Sequence, residues 1–106
     1  MGLVLEKNII AFSQIQLGNK TYELNFPLRC PLEKEDDYWV IASDMLDIIG
    51  TGKTQLKAYE NFSQEFDFIF NRYNELHDNQ LFGRILNIKK LINLIVKVTE
   101  GSKILH

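Results

Sequence analysis

The sequence predicts an α+β domain, in which an antiparallel sheet of three or four strands is followed by a long helix and a second C-terminal helix packed on it. The first half of the chain has the two-residue period of half-buried strands, whereas the second half repeats apolar residues every three or four positions. The chain has 106 residues, 45% of them hydrophobic, which is the size and composition of one folded unit. We therefore predict a single domain over residues 1–106.

Two strand patterns open the chain. Residues 9–17 (IIAFSQIQL) alternate along their length, and a Gly18-Asn19 turn joins them to residues 20–28 (KTYELNFPL). One predicted face of the second strand carries Tyr22, Leu24, Phe26 and Leu28. Because proline cannot donate to a ladder, Pro27 and Pro31 indicate a sheet edge or the start of a loop.

A loop and a third strand come next. The acidic residues 33–37 (EKEDD) predict a solvated hairpin loop, and residues 38–42 (YWVIA) predict the third strand. The short apolar piece 46–49 either continues the sheet or leads into the helix. Short loops between consecutive strands favour antiparallel neighbours.

Helical patterns fill the second half of the chain. Thr54 is predicted to be the N-cap of a helix over residues 54–77, whose apolar residues form one stripe. A second helix is predicted over residues 85–98, and its apolar arc is broader than one sheet face requires. The predicted core contains Leu24, Phe26, Trp39, Ile41, Phe62, Phe66, Ile69 and Leu91.

Composition and charge exclude several classes of protein. The net charge of -2 gives no global basic field, so we expect no nucleic-acid binding from the chain as a whole. No apolar run approaches the roughly 20 residues of a membrane span, and Glu6 and Lys7 interrupt the apolar N-terminus. The single Cys30 cannot form an internal disulfide. We expect a cytoplasmic protein without a membrane partner.

The turn Gly50–Thr54 (GTGKT) is the strongest match to a catalytic motif. Gly52, Lys53 and Thr54 reproduce the end of the phosphate-binding signature GxxxxGK[ST] ahead of a helix. Asp47 stands where the first glycine of that signature belongs, and its charge would oppose an anionic phosphate. We therefore favour a glycine turn feeding a capped helix. A small nucleotide-binding or hydrolytic enzyme that uses this turn is the alternative function.

Other catalytic and metal-binding groups are sparse. The histidines are His77, near a predicted helix end, and His106, the last residue, so neither stands beside a candidate nucleophile. One cysteine and two remote histidines give no metal-ligand spacing. We expect a non-enzymatic protein with no cofactor and no metal.

Charge is distributed unevenly along the chain. Residues 33–78 contain four basic and eleven acidic groups, for -7, whereas residues 79–106 contain five basic and one acidic, for +4. The basic last helix is interpreted as a solvated face, as a contact to an acidic partner or phosphate backbone, or as a contact to a second copy.

The broad apolar arc of the last helix leads us to predict a homodimer, with an interface lined or adjoined by Leu91, Leu94, Ile95 and Val98. The competing hypothesis is a monomer, in which residues 99–106 and the N-terminal strand cover that helix.

Residues 20–72 resemble the HicB-like antitoxin family, most clearly in YWVIASDMLDIIGTGKTQLKAYENFSQEFDFIF. Gly52, Thr54 and Ala58 match that family's turn, helix cap and small helix residue, while Lys57 stands where the family commonly has Glu. The family's C-terminal DNA-binding motif has no counterpart here. The resemblance implies a small three-stranded sheet with a helix on one face, dimerisation, and binding to a small toxin ribonuclease.

Overall fold

The computed structural model describes residues 8–97. It confirms the predicted α+β fold, with four antiparallel strands in the order β1-β2-β3-β4 and two helices on one face of the sheet. The strands are β1 (Asn8–Leu17), β2 (Lys20–Glu35), β3 (Tyr38–Ser43) and β4 (Ile48–Gly52). The helices are α1 (Gln55–Glu75) and α2 (Gly83–Ile95), joined through a short 3-10 turn at Asp78–Gln80. In the described part of the chain, no helix combines the length and apolar character needed to cross a membrane.

Strand β2 is longer than its sequence pattern predicted. The acidic run 33–37 was expected to be a loop, but residues 33–35 continue β2 and pair with β3, so only Asp36 and Asp37 form the turn. Pairing with β3 satisfies the backbone there, while the charged side chains still reach solvent. The apolar piece near residue 48 forms the fourth strand.

A bulge in β2 shifts the pairing between the first two strands. Gln14 lies opposite Glu23 and Phe12 lies opposite Leu28, so Ser13 alone faces four residues of β2, 24–27. The extra residues break the two-residue alternation, and both Phe12 and Ile15 are buried although they are three positions apart. Of the four residues predicted to share one face of β2, Tyr22, Leu24 and Leu28 pack toward the core, and the prediction was wrong for Phe26.

The core lies between the sheet and the two helices. Five of the predicted core residues are buried there, namely Leu24, Ile41, Phe62, Phe66 and Ile69. Phe26 was predicted in the core but is 43% exposed, because the bulge turns it outward. Trp39 and Leu91 are half-buried and pack against the core from its margin. Lys34 lies over the ring of Trp39, with its Nζ 5.7 Å from the ring centroid.

Candidate protein interaction surfaces

The Gly50–Thr54 turn is built into the contact between β4 and α1. A Cβ atom on Gly50 would lie 2.4 Å from the backbone nitrogen of Phe62, and one on Gly52 would lie 2.6 Å from that of Ala58. Only glycine permits so close an approach of strand and helix. The hydroxyl of Thr54 accepts a hydrogen bond from the backbone N–H of Lys57 at 3.1 Å, as an N-cap does. Packing and capping thus account for the glycines and the threonine of this motif.

The candidate acid–base and nucleophilic groups take part in local packing. The backbone N–H of His77 donates to Oε1 of Gln80 at 2.8 Å, and His106 lies outside the described residues. Burial raises the pKa of the Cys30 thiol to about 11, which keeps it protonated and weakly nucleophilic near neutral pH. Among residues 8–97, no three His, Cys, Asp or Glu side chains gather closely enough to hold a metal ion.

Two basic residues of α2 form contacts within the chain. Nζ of Lys89 lies 2.7 Å from the carbonyl oxygen of Leu76 and 2.8 Å from Oδ1 of Asp78, and its hydrogen bond lowers the pKa of the Asp78 carboxyl. The guanidinium of Arg84 donates to the Asp44 carbonyl at 2.9 Å. Part of the charge asymmetry predicted from the sequence is therefore neutralised between the helices and the β3–β4 turn.

The predicted interface residues of α2 differ in burial. Ile95 is fully buried in the core of its own chain, and Leu91 is half-buried against that core. Leu94 is 63% exposed, whereas Val98 lies outside the described residues. The sheet and α1 thus cover much of the apolar arc on which the dimer prediction was based. Of the three predicted interface residues that the structure describes, Leu94 is the one that is mostly exposed to solvent.

Leu94 adjoins the bulge of β2, and together they form what we term the α2–bulge surface: Asn25, Phe26, Lys90, Leu94 and Lys97. Nδ2 of Asn25 donates to the carbonyl oxygen of Leu94 at 2.9 Å, and Phe26 is the next residue of the bulge. Just beyond, the backbone N–H of Lys97 donates to the Glu23 carbonyl at 2.7 Å, so the end of α2 is fixed to β2. Sequence reasoning missed Phe26 as a surface residue because the bulge depends on pairing with β1.

A second exposed apolar region lies on the opposite face of the sheet. We term it the outer row: Ile9, Pro31, Ala42 and Ile49. Ile9 pairs with Pro31, and Ala42 pairs with Ile49, while the neighbouring pair Leu32–Ile41 sets Pro31 level with Ala42. The row thus runs across all four strands, with one residue from each strand next to that of its neighbour. Ile9 is 48% and Ile49 59% exposed, although the solvent face of an antiparallel sheet is usually polar.

In comparisons with known proteins, no protein family, no curated protein and no solved structure matches this chain.

Proposed function

We propose that this chain is a small non-enzymatic interaction protein of the cytoplasm, a HicB-like antitoxin or an orphan relative, which binds a small toxin protein. The resemblance over residues 20–72 supports the family, and the α2–bulge surface supports the binding role. The observation that carries the proposal is the exposure of two large apolar residues, Phe26 and Leu94, at the point where Asn25, the residue before Phe26, donates a hydrogen bond to the Leu94 carbonyl. Large apolar side chains grouped on an ordered surface are typical of protein contacts.

Charge around this surface favours an acidic site on the partner. Lys90 and Lys97 are exposed, and Lys90 lies one helical turn before Leu94, so it borders the apolar centre of the surface. Arg84 and Lys89 are already engaged within the chain. Two exposed lysines beside two apolar side chains suit a protein partner with a carboxylate-bordered hydrophobic patch better than a phosphate backbone.

The test begins with the gene neighbourhood: the proposal expects a small toxin-like reading frame beside this gene, and the product of that frame is the binding partner used. The two proteins are co-expressed, growth is measured, and affinity is determined by calorimetry with purified components. Leu94→Lys is expected to weaken binding at least tenfold and to abolish growth rescue, since it places a charge in the apolar centre.

Leu56→Lys is the matched control, because Leu56 is also 63% exposed but lies on the first turn of α1. It should bind like the wild type. Absence of an adjoining toxin-like frame, no measurable binding, or equal loss in both variants would contradict the proposal.

A further inference from the structure

We propose that two side chains of α1, Tyr59 and Asn61, block the addition of a foreign strand at the two edges of the sheet. The edge strands are β1 and β4, the first and last in the strand order. An open edge offers unpaired N–H and C=O groups to any extended chain, and proteins usually protect it with charged residues or proline. Neither β1 (Asn8–Leu17) nor β4 (Ile48–Gly52) contains a charged residue or a proline. The inference goes beyond the proposed function, since it concerns neither α2 nor the bulge of β2.

At the edge formed by β4, the blocking group is the side-chain amide of Asn61. The N–H of Thr51 donates to Oδ1 of Asn61 at 2.9 Å, so this backbone group points away from β3. Backbone groups of an antiparallel strand point alternately toward and away from the neighbouring strand. Ile49, two residues before Thr51, therefore has the same orientation, and it is 59% exposed. The Asn61 oxygen thus lies where the carbonyl oxygen of a fifth strand would accept a hydrogen bond.

At the edge formed by β1, the blocking group is the hydroxyl of Tyr59. The N–H of Gln16 donates to this hydroxyl at 2.8 Å, so it points away from β2. The ring of Tyr59 packs against Phe12, with ring centroids 5.3 Å apart, which holds the hydroxyl at the edge. Tyr59 and Asn61 are two positions apart in the helix, or about 200° around its axis, and so project from nearly opposite sides of α1. One helix therefore reaches both edges of the sheet.

Each blocking group can be removed without unfolding the chain. Tyr59→Phe deletes the hydroxyl and keeps the ring that packs on Phe12. Asn61→Ala frees the N–H of Thr51, and water can replace the lost acceptor because this hydrogen bond is exposed. Circular dichroism melts establish that each variant is folded. The Thr51 amide should exchange with solvent at least tenfold faster in Asn61→Ala than in the wild type.

The test measures strand addition between copies of the full chain, followed by thioflavin T fluorescence at equal concentrations below the melting temperature. Asn61→Ala is expected to assemble at least tenfold faster than the wild type, and Tyr59→Phe faster than the wild type as well. The Ile49 and Thr51 amides should become protected in the Asn61→Ala assemblies. Adding Ile49→Lys to Asn61→Ala should restore slow assembly, because a charge on the strand replaces the missing side-chain amide.

Two controls separate an open edge from a loss of stability. Asn74→Ala removes an asparagine of the same helix that binds Asn93 of α2 rather than a strand. Lys89→Met is expected to destabilise the contact between the helices and leaves both edges blocked. Both should assemble as slowly as the wild type. Wild-type rates in Asn61→Ala and Tyr59→Phe would overturn the inference, and so would equally fast assembly of Lys89→Met or a failure of Ile49→Lys to slow assembly.

Discussion

Asp67 links the tip of the β1–β2 hairpin to the middle of α1. Its Oδ1 accepts hydrogen bonds from Nζ of Lys20 at 2.7 Å, from the hydroxyl of Tyr22 at 2.6 Å and from Nδ2 of Asn71 at 3.1 Å. Burial alone would raise the pKa of the Asp67 carboxyl, but these donors and the charge of Lys20 outweigh it and lower that pKa. The ring of Tyr22 also packs against Phe66 and Phe70. Asp67 therefore stabilises the fold as a charged acceptor.

Removal of this charge should cost stability in a pH-dependent way. Because the pKa of Asp67 is lower in the folded protein than in the unfolded chain, its contribution is present above about pH 4, the unfolded value, and is lost as the pH falls through the folded value. Asp67→Asn is expected to reduce the free energy of unfolding by about 1 kcal/mol at pH 7, a modest figure because Lys20 is half exposed. Urea denaturation at pH 7 and pH 3 measures this.

The matched control is Glu65→Gln, which removes one exposed carboxylate from the same helix. Its effect should stay below about 0.5 kcal/mol at either pH. A loss in Asp67→Asn that is as large at pH 3 as at pH 7 would mean that the side chain acts through shape rather than charge.

At the scale of elements, α1 and α2 are joined by a side chain at the end of α1. Leu76 is the C-cap residue of α1, and its carbonyl oxygen accepts the hydrogen bond from Nζ of Lys89. A lysine at that place complements the partial negative charge of a helix C-terminus. The ammonium group is largely sheltered, with the Lys89 side chain only 14% exposed. This contact fixes how α2 turns back against α1.

Lys89→Met should keep the apolar stem but leave the Leu76 carbonyl without its donor. We expect the melting temperature to fall by about 4 °C, which corresponds to roughly 1 kcal/mol for one hydrogen bond in a chain of this size. Lys90→Met is the control, since Lys90 is the next residue on the same helix and is exposed. The melting temperatures of both variants are measured at low ionic strength. Equal shifts in the two variants would show that only the net charge of the chain matters, and not the hydrogen bond to Leu76.

The elements themselves were largely predictable from local patterns, whereas their irregularities were not. The stripe that includes Phe62, Phe66 and Ile69 predicted α1 and its buried face, because a helix depends on residues three and four positions apart. The bulge of β2 depends on which residues of β1 lie opposite, and that is set by pairing distant in sequence. The position of Phe26, and with it the α2–bulge surface, could therefore not be inferred from period-two alternation. The outer row could not be predicted from the sequence either. Its residues lie side by side only because of the register between neighbouring strands, which local patterns do not give.

At the scale of the whole molecule, the two ends of the sheet differ in how they are attached to the helices. β3 pairs with neighbours on both edges, and α1 contacts β4 backbone to backbone at Gly50 and Gly52. The tip of the β1–β2 hairpin, residues 16–22, has strand pairing between its own two strands and contains none of the buried core residues. It is fixed to the helices by side chains, through Asp67 and through the Tyr59 hydroxyl, which accepts a hydrogen bond from the Gln16 N–H at 2.8 Å.

This difference predicts that the hairpin tip opens without the rest of the domain. Local opening breaks few buried contacts and so costs less free energy than global unfolding. Hydrogen-bonded amides of residues 16–22 should exchange with solvent at least tenfold faster than those of β3, measured by NMR under conditions in which exchange reports the opening equilibrium. Asp67→Asn should accelerate exchange at the tip further while leaving β3 nearly unchanged, because it removes the anchor of the hairpin and not the contact between α1 and β4. Equal protection at both ends of the sheet would instead mean that the four strands unfold as one cooperative unit.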